Sequence, residues 1–150
     1  MLEARDAFWR PSNQMRVENT DLAKQLEAQT LGARLWRLHP GQASTKHRHF
    51  ETHELYVPIE GEGRIRVDDE LITVEPLSAV LVEPAHTRQL FNDTDVDALW
   101  LIVGAPRESV TSTLEMSEEQ LAFMYPAGPR ALPPELGGGE FTNHSESQSS

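Results

Sequence analysis

Three of the six histidines, His47, His49 and His53, fall within seven residues of one another, beside Glu51 and Glu54. On an extended strand His47 and His49 leave the same face, and that face aims both imidazoles at one point inside a barrel. Glu54 opens the next strand after a short connection, where antiparallel pairing brings its carboxylate alongside them. His53 has the opposite parity and should face away. Two imidazoles and one carboxylate form a facial set that suits a non-haem divalent metal, with open positions for water, oxygen or substrate. The competing reading is a solvated polar strand end, with Lys46 and Arg48 alternating outward.

Such a set needs strands to hold it. From Ala33 to Val103 short apolar runs alternate with turn residues, the pattern of a sandwich or barrel. The predicted strands are Ala33 to Leu38, Thr45 to Phe50, Glu54 to Ile59, Arg64 to Val67, Leu71 to Val74, Ala79 to Glu83, Arg88 to Phe91 and Ala98 to Val103. Turn chemistry at His39-Pro40-Gly41, Glu60-Gly61-Glu62-Gly63, Asp68-Asp69-Glu70, Glu75-Pro76 and Asn92-Asp93-Thr94-Asp95 separates them. No connection has room for a crossover helix, so the sheets are expected to be mainly antiparallel. Helical character is expected over Thr20 to Ala28, capped by Thr20 or Asp21. It is also expected after the capping box Ser117-Glu118-Glu119-Gln120, up to Pro126.

The chain of 150 residues fits one domain, and its ten Pro and nine Gly suit many turns. It divides into an N-terminal arm (1–32), a barrel core (33–106), an extension with a short helix (107–136) and a tail (137–150) expected to be disordered. With no Cys, disulfides, thiolate metal sites and cysteine nucleophiles are excluded, so metal chemistry falls to His, carboxylate or amide ligands. A formal charge of -11 repels phosphate backbones and anionic lipids, so the expected partner is a small molecule, with no nucleic acid and no membrane. No apolar stretch approaches a membrane span and the N-terminus lacks a secretory pattern, giving a cytoplasmic expectation.

Gly41, His47, His49, Glu54 and Gly61, at the spacing in which they stand, resemble the first conserved motif of the cupin superfamily. Glu54-Leu55-Tyr56-Val57 running into Glu60-Gly61-Glu62-Gly63 is similar to a cupin strand and hairpin. The resemblance covers Ala33 to Pro106. It implies an all-β, antiparallel jelly-roll (double-stranded β-helix) barrel with short flanking helical segments. It also implies one divalent metal ion inside (Fe, Mn, Ni, Zn or Cu) and a homodimer, with the family's ligands mapping to His47, His49 and Glu54.

The second cupin motif is degenerate. Alignment on Pro84 puts Ser78 and His86 at its glycines, Gln89 at its metal histidine and Asp93 at its asparagine, with Asn92 one place early. Gln89 is therefore expected to complete the shell through its amide oxygen or to hold a metal-bound water, and His86 is the rival. Tyr56, of the same parity as Glu54, is expected to orient substrate with its hydroxyl. Arg34 with Trp36, and Arg64 with Arg66, either bind an anionic substrate or are outward strand charges, the second being favoured. The function expected is a metal-binding protein acting on or binding a small molecule, a non-haem dioxygenase foremost. The alternatives are a metal-dependent isomerase or decarboxylase, a sensing or storage module, and a metal-free barrel.

Overall fold

The structure is a computed structural model and describes residues 1–110 and 112–143. Its strands are β1 Arg10–Pro11, β2 Glu18–Asp21, β3 Gly32–Leu38, β4 His53–Glu60, β5 Gly63–Val67, β6 Glu70–Val74, β7 Val80–Val82, β8 Arg88–Phe91 and β9 Ala98–Ala105. Two short helices, α1 Leu22–Gln25 and α2 Glu118–Met124, flank them. A six-stranded sheet runs β1-β2-β3-β9-β4-β7 and faces a three-stranded sheet β6-β5-β8. Every pairing is antiparallel. The fold is an all-β, antiparallel jelly roll.

Alternation along each strand builds the core. Leu38, Trp100, Tyr56 and Val82 from the larger sheet meet Ile65 and Leu90 from the smaller one, all nearly inaccessible to solvent. Each such side chain contributes about 1.5–3 kcal/mol on burial. Gly61, at φ +76°, lies so close to Asp97 that an added Cβ would sit 2.3 Å from its carbonyl oxygen. Only glycine supplies that turn between β4 and β5.

Three expectations are corrected. Thr45 to Phe50 is not a regular strand: the segment is extended but its backbone bonds go to scattered partners, His47 N–H to Arg88, Arg48 N–H to Met124 and His49 N–H to Pro84. Thr20 to Ala28 is not one helix, because Glu18–Asp21 pairs with β3 as a strand and only Leu22–Gln25 turns helical, capped by the Asp21 carboxylate. Gly137 to Asn143, expected in a disordered tail, is held in place. Leu132 N–H bonds Gly139, Phe141 N–H bonds Arg130, and Phe141 packs against the core. The rest of that tail, 144–150, lies outside the described residues. The predicted capping box forms as written, with Ser117 and Gln120 bonded reciprocally at the start of α2.

Candidate metal centre

The segment before β4 keeps alternating parity without being a strand. His47 is bridged to Arg88 of β8 by paired backbone bonds. Arg48 turns outward, its Nε donating to the Phe123 carbonyl and its guanidinium stacked 4.0 Å from the Phe123 ring. His47 and His49 therefore turn inward together, with ring centroids 4.9 Å apart and planes at 88°. Glu54 projects from β4 on the same side, while His53 is exposed. Opposite Glu54 stands Gly104 of β9, where an added Cβ would lie 2.9 Å from Thr52 Cγ2 and 3.3 Å from Glu54 Cγ. The glycine leaves room for the carboxylate.

Both imidazoles have their tautomers set from behind. His47 Nδ1 lies 2.9 Å from the Thr45 carbonyl oxygen, and His49 Nδ1 lies 3.1 Å from Glu108 Oε1. Each acceptor requires the proton on Nδ1, so in the neutral rings both Nε2 atoms carry lone pairs toward the cavity. His49 Nε2 sits 2.9 Å from Glu54 Oε1 but out of hydrogen-bond alignment, and it is buried without a hydrogen-bond partner. His47 Nε2 is 3.5 Å from the same oxygen. One donor atom from each of these three residues falls within 4.8 Å of the others. Lone pairs confronting a carboxylate repel one another unless a proton or a cation stands between them, so the donor set fits a divalent metal.

The surroundings tune these groups. Burial alone would raise the Glu54 carboxyl, but the polar contacts and charges of His47 and His49 outweigh it and hold it well below the usual carboxylate range. Tyr56 is 1 % exposed and donates its hydroxyl to Glu54 Oε1 at 2.8 Å. Burial, reinforced by the Glu54 charge and opposed by Arg88, pushes its phenol well above the ordinary value. The expectation that Tyr56 orients substrate is thereby corrected. In this arrangement its proton is spent on Glu54, and it positions that carboxylate.

Gln89 is corrected too. On β8, Arg88 and Leu90 face the interior and Gln89 the other side, where its amide donates to the Ser44 and Ala131 carbonyls at 2.9 and 2.8 Å. Alignment on Pro84 shifted the inward position by one residue, which on a strand exchanges the faces. The side chain that reaches Glu54 is Arg88, 1 % exposed, with Nε 3.5 Å from Oε1 and its terminal nitrogens on the Val82, Glu83 and Pro84 carbonyls. His86 is exposed and paired with Asp68 at 2.6 Å.

Sequence reasoning also missed Glu108. Its Oε1 accepts from His49 Nδ1 and from the backbone N–H groups of Phe50, Glu51 and Thr52. Burial pushes its carboxyl up, and those backbone bonds with the His49 charge bring it below the ordinary value. Nothing local in Arg107-Glu108-Ser109 signals this role.

The centre opens into a cavity of about 690 Å³, lined by Arg34 and Trp36 as well as by His47, His49, Glu54 and Tyr56. That is a small-molecule dimension. The favoured reading of Arg34 and Trp36 as outward residues is corrected, because they stand opposite Ile102 and Trp100 on the inner face. Arg64 and Arg66 are occupied elsewhere, on Asp93 and Glu135.

Residues 34–104 match the family model described as Cupin domain. Among solved structures, a sugar phosphate isomerase from a cupin superfamily of Silicibacter pomeroyi DSS-3 is 22% identical, covers 71% of this chain and 76% of its own, and has a TM-score of 0.64. A predicted oxalate decarboxylase of Thermotoga maritima is 18% identical over 71% of this chain and 99% of its own, at TM-score 0.63. KdgF from Halomonas sp. is 15% identical over 73% and 94%, at 0.62. At these identities the likeness concerns the fold. No curated protein matches the sequence.

Proposed function

Residues 34–104 carry a cupin domain, and from that premise we propose that the chain is a metal-dependent protein acting on a small molecule in the barrel cavity. His47, His49 and Glu54 would hold one divalent ion of iron, manganese, nickel, zinc or copper. The convergence of those three donors within 4.8 Å, with both Nδ1 atoms engaged from behind, carries this reading. When bound, the ion supplies Lewis-acid polarisation of substrate oxygens or, as iron, a site for oxygen. The protein's own residues then keep Glu54 ionised, fix both imidazoles and shelter the centre from bulk water.

Among activities, a non-haem dioxygenase suits a shell of two imidazoles and one carboxylate with open positions. Isomerase or decarboxylase chemistry is the second reading, supported by the names carried by the neighbours in Silicibacter and Thermotoga. Gln89 is left out of the shell, and Tyr56 acts through Glu54. The proposal includes a homodimer formed on the outer face of the larger sheet, where Leu55 and Leu81 pair across strands at 39% and 64% exposure. It includes a cytoplasmic location as well. No helix among the described residues is long and apolar enough to cross a membrane.

Elemental analysis of protein purified without chelator tests the centre. Near-stoichiometric metal, lost in His47→Ala and in Glu54→Ala, is expected. Native protein without metal that also takes up no added zinc or nickel would overturn it. Oxygen consumption against anaerobic turnover on the same substrate panel separates the two activities.

A further inference from the structure

Cations are scarce in this chain, 13 Lys and Arg against 24 Asp and Glu. Yet Arg10, Lys24, Arg34 and Arg107 line the cavity that holds the candidate metal centre. Arg10 and Lys24 lie before the segment matched by the family model, and Arg34 is its first residue. The N-terminal arm brings them there. It adds β1 and β2 to the sheet edge beyond β3, and the Asp21 cap starts α1 so that Lys24 falls in its last turn.

Arg34 is fixed in place. Its Nη1 donates to Asn19 Oδ1 at 2.9 Å and its Nη2 lies 2.9 Å from Asp21 Oδ2. Asn19, 2 % exposed, is itself pinned because its amide donates to the Arg10 and Val17 carbonyls. The Arg34 side chain remains 40% exposed. In register, Asp21, Arg34, Ile102 and Tyr56 stand side by side on successive strands. With strands about 4.8 Å apart, the Arg34 backbone is roughly 10 Å from that of Tyr56.

The acids of the cavity account for Arg34, through Asp21, but not for Arg10 or Lys24. Glu54 is engaged by His47, His49, Tyr56 and Arg88, and Glu108 is filled by His49 and three backbone N–H groups. Asp21 is used by Arg34 and by the Lys24 N–H. Among the described residues neither Arg10 nor Lys24 has a carboxylate oxygen within 4.0 Å. In a chain of net charge -11, a cavity lining that sets Arg10, Lys24, Arg34 and Arg107 against Asp21, Glu54 and Glu108, beside the apolar Trp36, Ile102 and Leu90, reverses the overall charge balance locally.

We propose that the N-terminal arm makes this an anion-recognising cavity. Its ligand is a small molecule carrying a phosphate or carboxylate for Arg10, Lys24 and Arg34, with oxygen donors at its other end for the His47, His49 and Glu54 centre. The chelating end rests on the proposed metal site, whereas the anionic end stands without it. Arg34, held by Asn19 and Asp21, offers its remaining guanidinium N–H groups, and Arg10 and Lys24 add charge.

Calorimetric titration with phosphoglycolate, inorganic phosphate, malonate and uncharged ethylene glycol tests this, on metal-loaded and on chelated protein at low and high salt. Saturable binding of phosphoglycolate, weakened by salt, is expected. The double substitution Arg10→Gln/Lys24→Gln, at exposed positions, should weaken it about tenfold with metal content unchanged. Arg34→Lys, which keeps the charge and loses the guanidinium, should weaken it as well. Comparing phosphate with malonate identifies the anionic group, and tighter binding of either meets the proposal. Binding that depends on Arg10 and Lys24 in protein that never takes up metal would retain the anion site and reject the metal centre. No saturable binding of any anion, equal binding of ethylene glycol, or a double variant as tight as native would overturn the proposal.

Discussion

His49 and Glu108, 59 positions apart in the chain, meet with Nδ1 3.1 Å from Oε1. The same oxygen accepts the N–H groups of Phe50, Glu51 and Thr52, so one carboxylate sets both the turn after His49 and the tautomer of its ring. Carboxylates behind metal-binding imidazoles orient the ring and raise its basicity. Glu108→Gln removes the charge and can turn its NH2 toward Nδ1. It should weaken zinc or nickel binding by about 10- to 100-fold, read by competition titration. The ¹⁵N shifts of His49 should move toward the other tautomer in the apo-variant. Unchanged affinity with an unchanged tautomer would remove Glu108 from this role.

Glu108 also ties acid sensitivity to this turn. Its carboxyl lies below its ordinary value of 4.5 in the folded protein, so the folded state holds fewer protons than the unfolded one. Its stabilisation is therefore complete above the unfolded value and disappears as pH falls through the folded value. In metal-free protein, the gap in melting temperature between native and Glu108→Gln should be constant from pH 7 to 5.5 and should shrink below about pH 4.5. A gap that widens on acidification would reverse the sign argued here.

How much of this was legible in the sequence depended on distance along the chain. His47, His49 and Glu54 were readable because alternation acts over a few residues, and inward parity survives even though Thr45 to Phe50 is not a regular strand. Gln89 was misread because a one-residue slip on β8 exchanges faces, putting Arg88 beside Glu54. Glu108 was invisible because its role is created by the chain returning past β9 to the turn after His49. The arm strands escaped for a similar reason. Glu18-Asn19-Thr20-Asp21 has little strand propensity and forms β2 by pairing with the edge of β3. Phe141 is ordered in a Gly-rich tail by packing against the core, which composition does not report.

Metal removal should lower stability. An ion bound only by the folded barrel adds RT ln(1 + [L]/Kd), about 2.7 kcal/mol at a hundredfold excess over Kd. Chelation of loaded protein should lower the melting temperature, and zinc or nickel added back should restore it. Glu54→Ala should show no response to either treatment. An unchanged melting temperature after verified removal would count against metal held by these three residues.

Arg88 gives the sharpest test of the geometry. It occupies the inward position of β8, its Nε 3.5 Å from Glu54 Oε1 and without a hydrogen bond of its own among the described residues. A guanidinium there lies beside Glu54 but cannot ligate metal. Arg88→His places an imidazole on the inward face of β8 and completes a shell of three histidines and one carboxylate, so zinc or nickel should bind more tightly than in native protein. Gln89→His, on the opposite face, should leave affinity unchanged. Arg88→His also abandons bonds to the Val82, Glu83 and Pro84 carbonyls, so the apo-variant should lose about 3 kcal/mol, and metal should recover part of that loss. Apo-protein titrations of the two variants beside the native chain decide the matter. A gain from Gln89→His with none from Arg88→His would mean that the inward register of β8 has been assigned one residue out.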